Sequence, residues 1–213
     1  IYVSNMIDLQ TFIGKHPDLV NCFDDIELAI EYMITSYSKG GALYVCGNGG
    51  SASDSLHIVG ELQKSFNRTR KLTTDQGKLF KGLPNREFLV ENLENGLRAY
   101  SLVSEVALIT AISNDTGADL IFAQQVWACG EGNDVLLCLS TSGNSRNVVL
   151  AAETAKAKGM KVISLTGERL TSKLNAISDV CIKVPSTETY RIQEFHIQIY
   201  HFICLVLEEK FFK

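Results

Sequence analysis

The chain has 213 residues, of which 46% are hydrophobic and 21% charged, as expected for a globular domain with a substantial buried core. Its formal net charge of -4 argues against a nucleic-acid-binding protein that works by neutralising phosphates. No apolar run approaches the length of a membrane span, so we expect a cytoplasmic protein with neither a membrane nor a nucleic-acid partner.

The cysteines are isolated, and none forms a C-x-x-C pair. Several lie in apolar, strand-like runs, which favours reduced and buried thiols in a cytoplasmic protein. A disulfide framework or a thiolate zinc site is the alternative. The six residues are Cys22, Cys46, Cys129, Cys138, Cys181 and Cys204.

Residues 1–40 predict a helical lead. Two helices are indicated up to residue 38, and the pattern breaks at His16 and Pro17. Asp18 is predicted to be the N-cap of the second helix. This lead is expected to pack on the rest of the domain or on another subunit.

A glycine-rich turn at 47–51 follows a predicted strand at 42–46 and precedes a predicted helix at 52–66. Such a turn exposes backbone N–H groups at the start of a helix, which suits an anion such as phosphate. The spacing of Gly47, Gly49 and Ala52 also matches the dinucleotide-binding fingerprint. That alternative is disfavoured because the helix is not followed by a second strand ending in an acidic residue.

Residues 67–98 form an insertion of different composition. The stretch 67–86 is polar, basic and poor in core residues, and a short helix is predicted at about 87–96. We interpret the insertion as a lid or a subunit-contact segment, with a solvated loop as the alternative.

The rest of the chain alternates strands and helices, which predicts a parallel sheet with helices on both faces. The expected fold is therefore α/β: a three-layer, doubly wound, flavodoxin-like sheet in a single domain, 1–213, that ends in a long helix. The predicted strands are 99–103, 134–140, 161–166 and 179–184, and the predicted helices are 104–112, 118–129, 146–158, 169–176 and 189–211.

A second strand-to-helix turn carries four hydroxyl groups. Hydroxyl donors together with the free N–H groups of a helix start can bind a phosphate monoester without Lys or Arg. An ordinary Ser/Thr-capped helix is the alternative. The four residues are Ser140, Thr141, Ser142 and Ser145.

His57 and Glu61 stand four residues apart and share a helix face. Alone they could be a surface pair or a satisfied core histidine. The last predicted helix, however, places polar groups beside its apolar stripe, which indicates a lined site or a partner contact. These groups are Gln193, His196 and His201. Imidazole and oxygen ligands together suit zinc or another divalent transition ion.

With these motifs, the chain resembles the SIS (sugar isomerase) domain family and, within it, the phosphoheptose isomerase branch. The resemblance covers almost the whole chain and keeps the order of the family's motifs. The matching stretches are GNGGSASDSLH-x3-E at 47–61, SND at 113–115, STSGNSRN at 140–147, KGMKVISLTG at 158–167 and RIQEFHIQIYH at 191–201.

The resemblance implies an aldose–ketose isomerase that converts sedoheptulose 7-phosphate to D-glycero-D-manno-heptose 7-phosphate through an enediol. This reaction feeds the heptose of bacterial lipopolysaccharide and capsule. The family uses one zinc ion per site and no nucleotide cofactor, and its homotetramers share active sites between subunits.

The resemblance also implies roles for individual residues. Glu61 and His201 would be the catalytic acid–base pair. The zinc ligands would be His57, Glu61, Gln193 and His201. The residues binding the sugar phosphate would be Asn48, Gly49, Gly50, Ser51, Glu61, Asn114, Asp115, Ser140, Thr141, Ser142, Ser145 and Gln193.

Two features depart from the family pattern. The segment 67–98 is longer than usual, and Tyr190 stands where the heptose isomerases often have an acidic residue. These departures bear on the stereochemistry of the substrate, and two other functions also stay open. One is a non-catalytic SIS module that binds a protein such as the bacterial replication initiator, and the other is an isomerase of another sugar phosphate, such as a pentose 5-phosphate.

Overall fold

In a computed structural model that describes residues 8–169 and 171–212, five parallel strands form one sheet in the order β2-β1-β3-β4-β5. This order confirms the predicted doubly wound, flavodoxin-like architecture. The strands are β1 (Leu43–Gly47), β2 (Ala99–Ser101), β3 (Val135–Leu139), β4 (Lys161–Gly167) and β5 (Val180–Val184).

Helices cover both faces of the sheet. They are α1 (Leu9–Lys15), α2 (Phe23–Ser38), α3 (Gly50–Gln63), α4 (Thr74–Lys78), α5 (Arg86–Asn92), α6 (Val106–Ile112), α7 (Ala123–Cys129), α8 (Arg146–Ala157), α9 (Lys173–Ile177) and α10 (Thr189–Phe211). The long C-terminal helix was predicted over the same residues, because its apolar stripe is continuous and contains neither proline nor glycine.

The sheet is buried on both faces because most of its strand positions are apolar, and its exposed residues are Tyr100, Lys161 and Lys183. Leu43 and Val45 of β1 point into a core shared with α2 and α10. Tyr44 and Cys46 alternate to the other face and pack with α7 and α8. All six cysteines lie in the described part of the chain and are free, and only Cys129 among them is exposed.

The prediction that Asp18 caps the second helix is wrong. Asp18 lies in the first turn of a 3-10 helix, Pro17–Cys22, and α2 begins only at Phe23. Residues three apart share a face in a 3-10 helix, so this winding buries both Leu19 and Cys22.

The prediction of one helix over 118–129 is also wrong. A π-helical turn (Ser113–Gly117) and a 3-10 turn (Ala118–Leu120) precede α7. Gly117 has a φ of 130°, which no regular right-handed helix accepts and which separates the turns.

Within the polar insertion, α4 was not predicted. Thr73 and Gln76 form a capping box at its start, a T-x-x-Q pattern that could have been read from the sequence. The predicted extent of the domain, 1–213, includes Ile1–Ile7, Leu170 and Lys213, which lie outside the described residues. The single-domain division stays a prediction.

Among the described residues, no single helix has the length and apolarity to cross a membrane. One sharply bent pair, Val106–Leu120 with Ala123–Cys129, passes on length and composition alone.

Candidate functional site

The two strand-to-helix turns lie side by side at the carboxyl edge of the sheet. β1 pairs with β3, with Gly47 opposite Leu139, and the chain order reverses between these two strands. Asn48 and Asn147 join the turns through two reciprocal amide hydrogen bonds of 2.9 Å each. Ligands of doubly wound sheets bind in the crevice at this reversal.

The first turn is built for close packing. Gly49 has a φ of 57°, which a side chain would strain, and forms the N-cap of α3. A Cβ on Gly50 would collide with the amide of Gln193 on α10, and one on Gly47 would lie 2.7 Å from Ser51. The glycines therefore allow Gln193 to reach the start of α3.

The second turn presents polar groups. Ser140 Oγ and Ser145 Oγ lie 3.1 Å apart, and the Ser142 hydroxyl accepts a hydrogen bond of 3.1 Å from the Asn144 N–H. Ser145 is the N-cap of α8, but its side chain makes no capping hydrogen bond. The Ser145 side chain therefore does not cap α8, and Thr141 is half-buried within the turn.

Behind the first turn, α3 and α10 bring three of the predicted ligands together. His57 Nε2 lies 3.0 Å from Glu61 Oε1 and 3.4 Å from His201 Nε2. The side chains of His57 and Glu61 are 42% and 16% exposed, so solvent and small molecules reach them. The fourth predicted ligand, Gln193, packs on Gly50 at the start of the same helix.

The chemistry of this cluster suits a zinc ion. Ligand atoms at about 2.0–2.1 Å from a tetrahedral zinc are about 3.3 Å from one another, close to the separations around His57 Nε2. In the described part of the chain, however, no group of three or more His, Cys, Asp or Glu side chains is arranged to hold a metal ion as it stands. A bound ion would have to enter between His57 Nε2 and Glu61 Oε1, which are in direct contact at 3.0 Å.

Burial shifts two groups of the cluster. Desolvation and the neighbouring His57 lower the pKa of His201, while Glu61 opposes the shift. Burial raises the pKa of Asp54, against the effects of the Tyr200 hydroxyl and of His57.

Some predicted residues lie apart from this cluster. Asn114 and Asp115 are exposed and joined to each other by a hydrogen bond of 2.8 Å. In the described residues, no hydrogen bond links them to the other predicted site residues. His196 is fully buried rather than lining the site, and neither ring nitrogen has a geometrically acceptable hydrogen-bond partner within those residues.

Arg70 connects the helices of the site and was not predicted to do so. Its buried guanidinium donates to the carbonyls of Glu61 and Leu62 at the end of α3, and to Glu208 of α10. Burial raises the pKa of Glu208, but the N–H groups of the Phe66 segment and Arg70 outweigh it, so the pKa is lower than usual. The signal available in the sequence was Glu208, a charged residue within the apolar stripe of the last helix that needs a buried partner.

The insertion is therefore not only a solvated loop, because its first residues hold α3 against α10. A cavity of about 600 Å³ lies elsewhere, between β2 and the helices α6 and α7. None of the predicted site residues lines it.

Comparisons with known proteins show the family of the chain. Residues 19–95 and 90–167 match the family model for the SIS domain. A phosphoheptose isomerase from Helicobacter pylori strain P12 is 39% identical over 186 residues, covering 87% of this chain and 84% of that protein. One from Aneurinibacillus thermoaerophilus is 37% identical over 212 residues, covering 100% and 93%.

Solved structures of phosphoheptose isomerases are similar to this chain in fold. The phosphoheptose isomerase of Neisseria gonorrhoeae is 32% identical with a TM-score of 0.68, and covers 95% of this chain and 100% of its own. That of Francisella tularensis is 31% identical with a TM-score of 0.72, covering 94% of each chain. The chain is therefore an isomerase that belongs to the SIS domain family and, within it, to the phosphoheptose isomerases.

Proposed function

We propose that the protein interconverts sedoheptulose 7-phosphate and D-glycero-D-manno-heptose 7-phosphate, with the help of zinc, in the cytoplasm. The observation that carries the proposal is the contact of His57, Glu61 and His201 beside the turn at the reversal point of the sheet. The proposed role of the protein in supplying heptose for surface polysaccharides is based on the family to which the chain belongs.

The reaction moves a proton between C1 and C2 of the sugar and exchanges protons on the two oxygens. Glu61 is the proposed base that takes the proton from carbon and returns it to the neighbouring carbon of the enediol. His201 exchanges protons with the oxygens. The Glu61 carboxylate and the His201 imidazole both contact His57, so they are close enough to divide this work.

In this proposal His57, Glu61, Gln193 and His201 hold one zinc ion. When bound, the ion supplies Lewis-acid polarisation of the carbonyl group and stabilises the negative charge that develops on its oxygen. The support is the mixed nitrogen and oxygen donor set and the donor spacing around His57 Nε2. No nucleotide cofactor is needed.

The two turns divide the binding of the substrate. Ser140, Thr141, Ser142 and Ser145 would bind the phosphate at the start of α8, where hydroxyls and the helix N-terminus attract an anion. Asn48, Gly49, Gly50 and Ser51 would line the sugar chain. Holding the phosphate at one turn orients C1 and C2 towards Glu61.

The proposal includes a homotetramer with shared sites. Asn114 and Asp115 are exposed and bond to each other, and no hydrogen bond in the described residues joins them to the rest of the site. We propose that they contact the sugar bound to a neighbouring subunit.

The direct test is to incubate the zinc-loaded protein with sedoheptulose 7-phosphate and follow the aldose by NMR. We expect aldose to form, and the Glu61→Gln protein to form none above background. If the zinc-loaded parent protein leaves the ketose unchanged while it isomerises a pentose 5-phosphate, the substrate is wrong. No turnover of any sugar phosphate would favour a non-catalytic SIS module.

A further inference from the structure

A buried tyrosine connects α10 to the first site helix. Tyr200 is 1% exposed, and its hydroxyl lies 3.2 Å from Asp54 Oδ1 and 3.0 Å from His57 Nδ1. Asp54 Oδ2 is buried, and no residue in the described ranges gives it a hydrogen bond. The three groups form a chain that ends at His57, the residue at the centre of the site.

One arrangement of hydrogens satisfies both contacts of the Tyr200 hydroxyl, the one with Asp54 and the one with His57. A tyrosine hydroxyl has a single hydrogen, and an ionised carboxylate can only accept. If Tyr200 donated to His57, both oxygens of Asp54 would lack a donor, since Oδ2 has none. An unpaired carboxylate in a half-buried place is costly. Tyr200 therefore donates to Asp54, and its oxygen accepts a hydrogen bond from His57 Nδ1–H.

We propose that Asp54 and Tyr200 are positioning residues that keep a proton on His57 Nδ1 and so leave Nε2 free to bind a cation. Outer hydrogen-bond partners of this kind fix the tautomer and ring orientation of a histidine ligand. The cation-binding part of this inference rests on the proposed function, whereas the position of the proton does not.

The opposite side of the imidazole ring shows what this proton position achieves. His57 Nε2 faces Glu61 Oε1 at 3.0 Å and His201 Nε2 at 3.4 Å. With the proton held on Nδ1, Nε2 presents a lone pair towards a carboxylate and a second imidazole. The Nε2 lone pair and the Glu61 carboxylate are then two acceptors 3.0 Å apart, which favours a positive ion between them, so Asp54 and Tyr200 prepare the site for a metal ion.

The proton position can be measured in the metal-free protein by two-bond 1H–15N spectra of the histidine rings, with His57 assigned by comparison with His57→Gln. We expect a proton on His57 Nδ1 in the parent protein and its loss to the Nε2–H form in Tyr200→Phe. An unprotonated Nδ1 in the parent protein would overturn the proposal.

Asp54→Asn gives the same test without altering the tyrosine. An asparagine NH2 can donate to the Tyr200 oxygen, which frees the tyrosine hydrogen for His57 Nδ1. The Nε2–H form should then appear, and a spectrum unchanged from the parent protein would contradict the role of Asp54.

Zinc affinity, measured by chelator competition, tests the consequence. We expect Tyr200→Phe to weaken zinc binding by about 10- to 100-fold. Tyr37→Phe is the matched control, because the Tyr37 hydroxyl is also buried but has no hydrogen-bond partner in the described ranges. It should bind zinc like the parent protein.

Equal zinc affinity of the two tyrosine variants would overturn the positioning role. Failure of the parent protein to bind zinc or to isomerise the heptose phosphate would instead refute the proposed function. The ring spectra would still decide where the proton of His57 lies.

Discussion

The two turns at the carboxyl edge have the same topology and opposite construction. The first, before α3, consists of glycines so that Gln193 can pack onto the helix start. The second, before α8, keeps its hydroxyls, which hydrogen-bond within the turn. One turn brings a distant helix into contact, and the other is the proposed source of donors for the phosphate.

This difference supports the proposed division between acid–base chemistry and phosphate binding. Tight contact with α10 brings His201 to the face of α3 that carries His57 and Glu61. The second turn packs instead against the start of α9, where the Lys173 and Leu174 N–H groups donate to Asn144 Oδ1 and to the Gly143 carbonyl. α9 has no histidine or carboxylate, so it adds no such acid–base group to the second turn. Substitutions of matched type in the two regions should therefore have different consequences.

The largest expected effect is that of Glu61→Gln on α3. Loss of the proposed base should lower kcat by about 10²- to 10⁴-fold, because general-base contributions have this size. The same change on α8, Glu153→Gln, alters an exposed residue and should leave kcat unchanged. Steady-state kinetics compare the two variants, and equal rates would remove Glu61 from the mechanism.

Second, the support of the first region can be broken at Glu208. Its carboxylate accepts hydrogen bonds from Arg70 and from the N–H groups of Phe66, Asn67 and Arg68. Glu208→Gln leaves Arg70 as a buried and unpaired charge, so the free energy of unfolding should fall by about 3–5 kcal/mol.

Urea denaturation measures this loss. The control is Arg68→Met, which removes the partly exposed ion pair with Glu209 and should cost at most about 1 kcal/mol. Similar decreases in the free energy of unfolding for the two variants would mean that the buried pair of Arg70 and Glu208 contributes no more than the exposed pair.

Third, His196 should make the packing of α10 on the sheet less stable at low pH. Burial lowers the pKa of His196 to about 4 from 6.5, and the Thr166 backbone opposes this only in part. Between these values the unfolded chain binds a proton that the folded chain does not. The contribution of His196 to the free energy of unfolding should therefore be constant well above pH 6.5 and fall by about 3 kcal/mol towards pH 4.

Denaturation curves across this pH range give the slope. His196→Leu has no titrating group at this position and should flatten that part of the curve. A slope identical to that of the parent protein would show that other groups cause the acid sensitivity.

Fourth, Gly50→Ala tests close packing in the first turn. The added methyl group should displace Gln193 and weaken zinc binding by about 10- to 100-fold, as loss of support for a ligand does. Gly60→Ala lies on the same helix with nothing within 4 Å of its Cβ, and should add about 0.5–1 kcal/mol of stability. Unaltered zinc affinity in Gly50→Ala would separate Gln193 from the metal.

The smallest effect is expected in the second turn. Ser142→Ala should raise KM for the sugar phosphate about five- to tenfold, the value of about one hydrogen bond, with kcat nearly unchanged. Ser53→Ala, an exposed serine on α3, should leave KM as it is. A fall in kcat without a change in KM would contradict a pure binding role for the second turn.

Much of the architecture could be predicted because it depends on local patterns. β1 and β3 are continuous apolar runs, and α10 has an unbroken apolar stripe, so their type and place were correct. The predictions were wrong where the winding of a single turn determines the structure. Examples are the 3-10 turn that buries Leu19 and Cys22 and the turns around Gly117.

The site itself was predictable only in its parts. The spacing of His57 and Glu61 indicates a shared face, but no pattern shows that His201 lies 3.4 Å from His57. Partners far apart in the chain, such as Arg70 with Glu208 or Tyr200 with Asp54, meet only through the tertiary fold. The exposure of Asn114 and Asp115 could not be foreseen either, since the short motif SND does not indicate how its residues are buried.

The hydrogen bonds of Glu208 have a consequence for local opening. The amide protons of Phe66, Asn67 and Arg68 all end on this one carboxylate, although they belong to a segment outside any helix or strand. They should exchange with solvent deuterium only when α10 separates from the end of α3. The start of the insertion is thus expected to share one cooperative unit with the helices that bear the site, so that its amides report when those helices come apart.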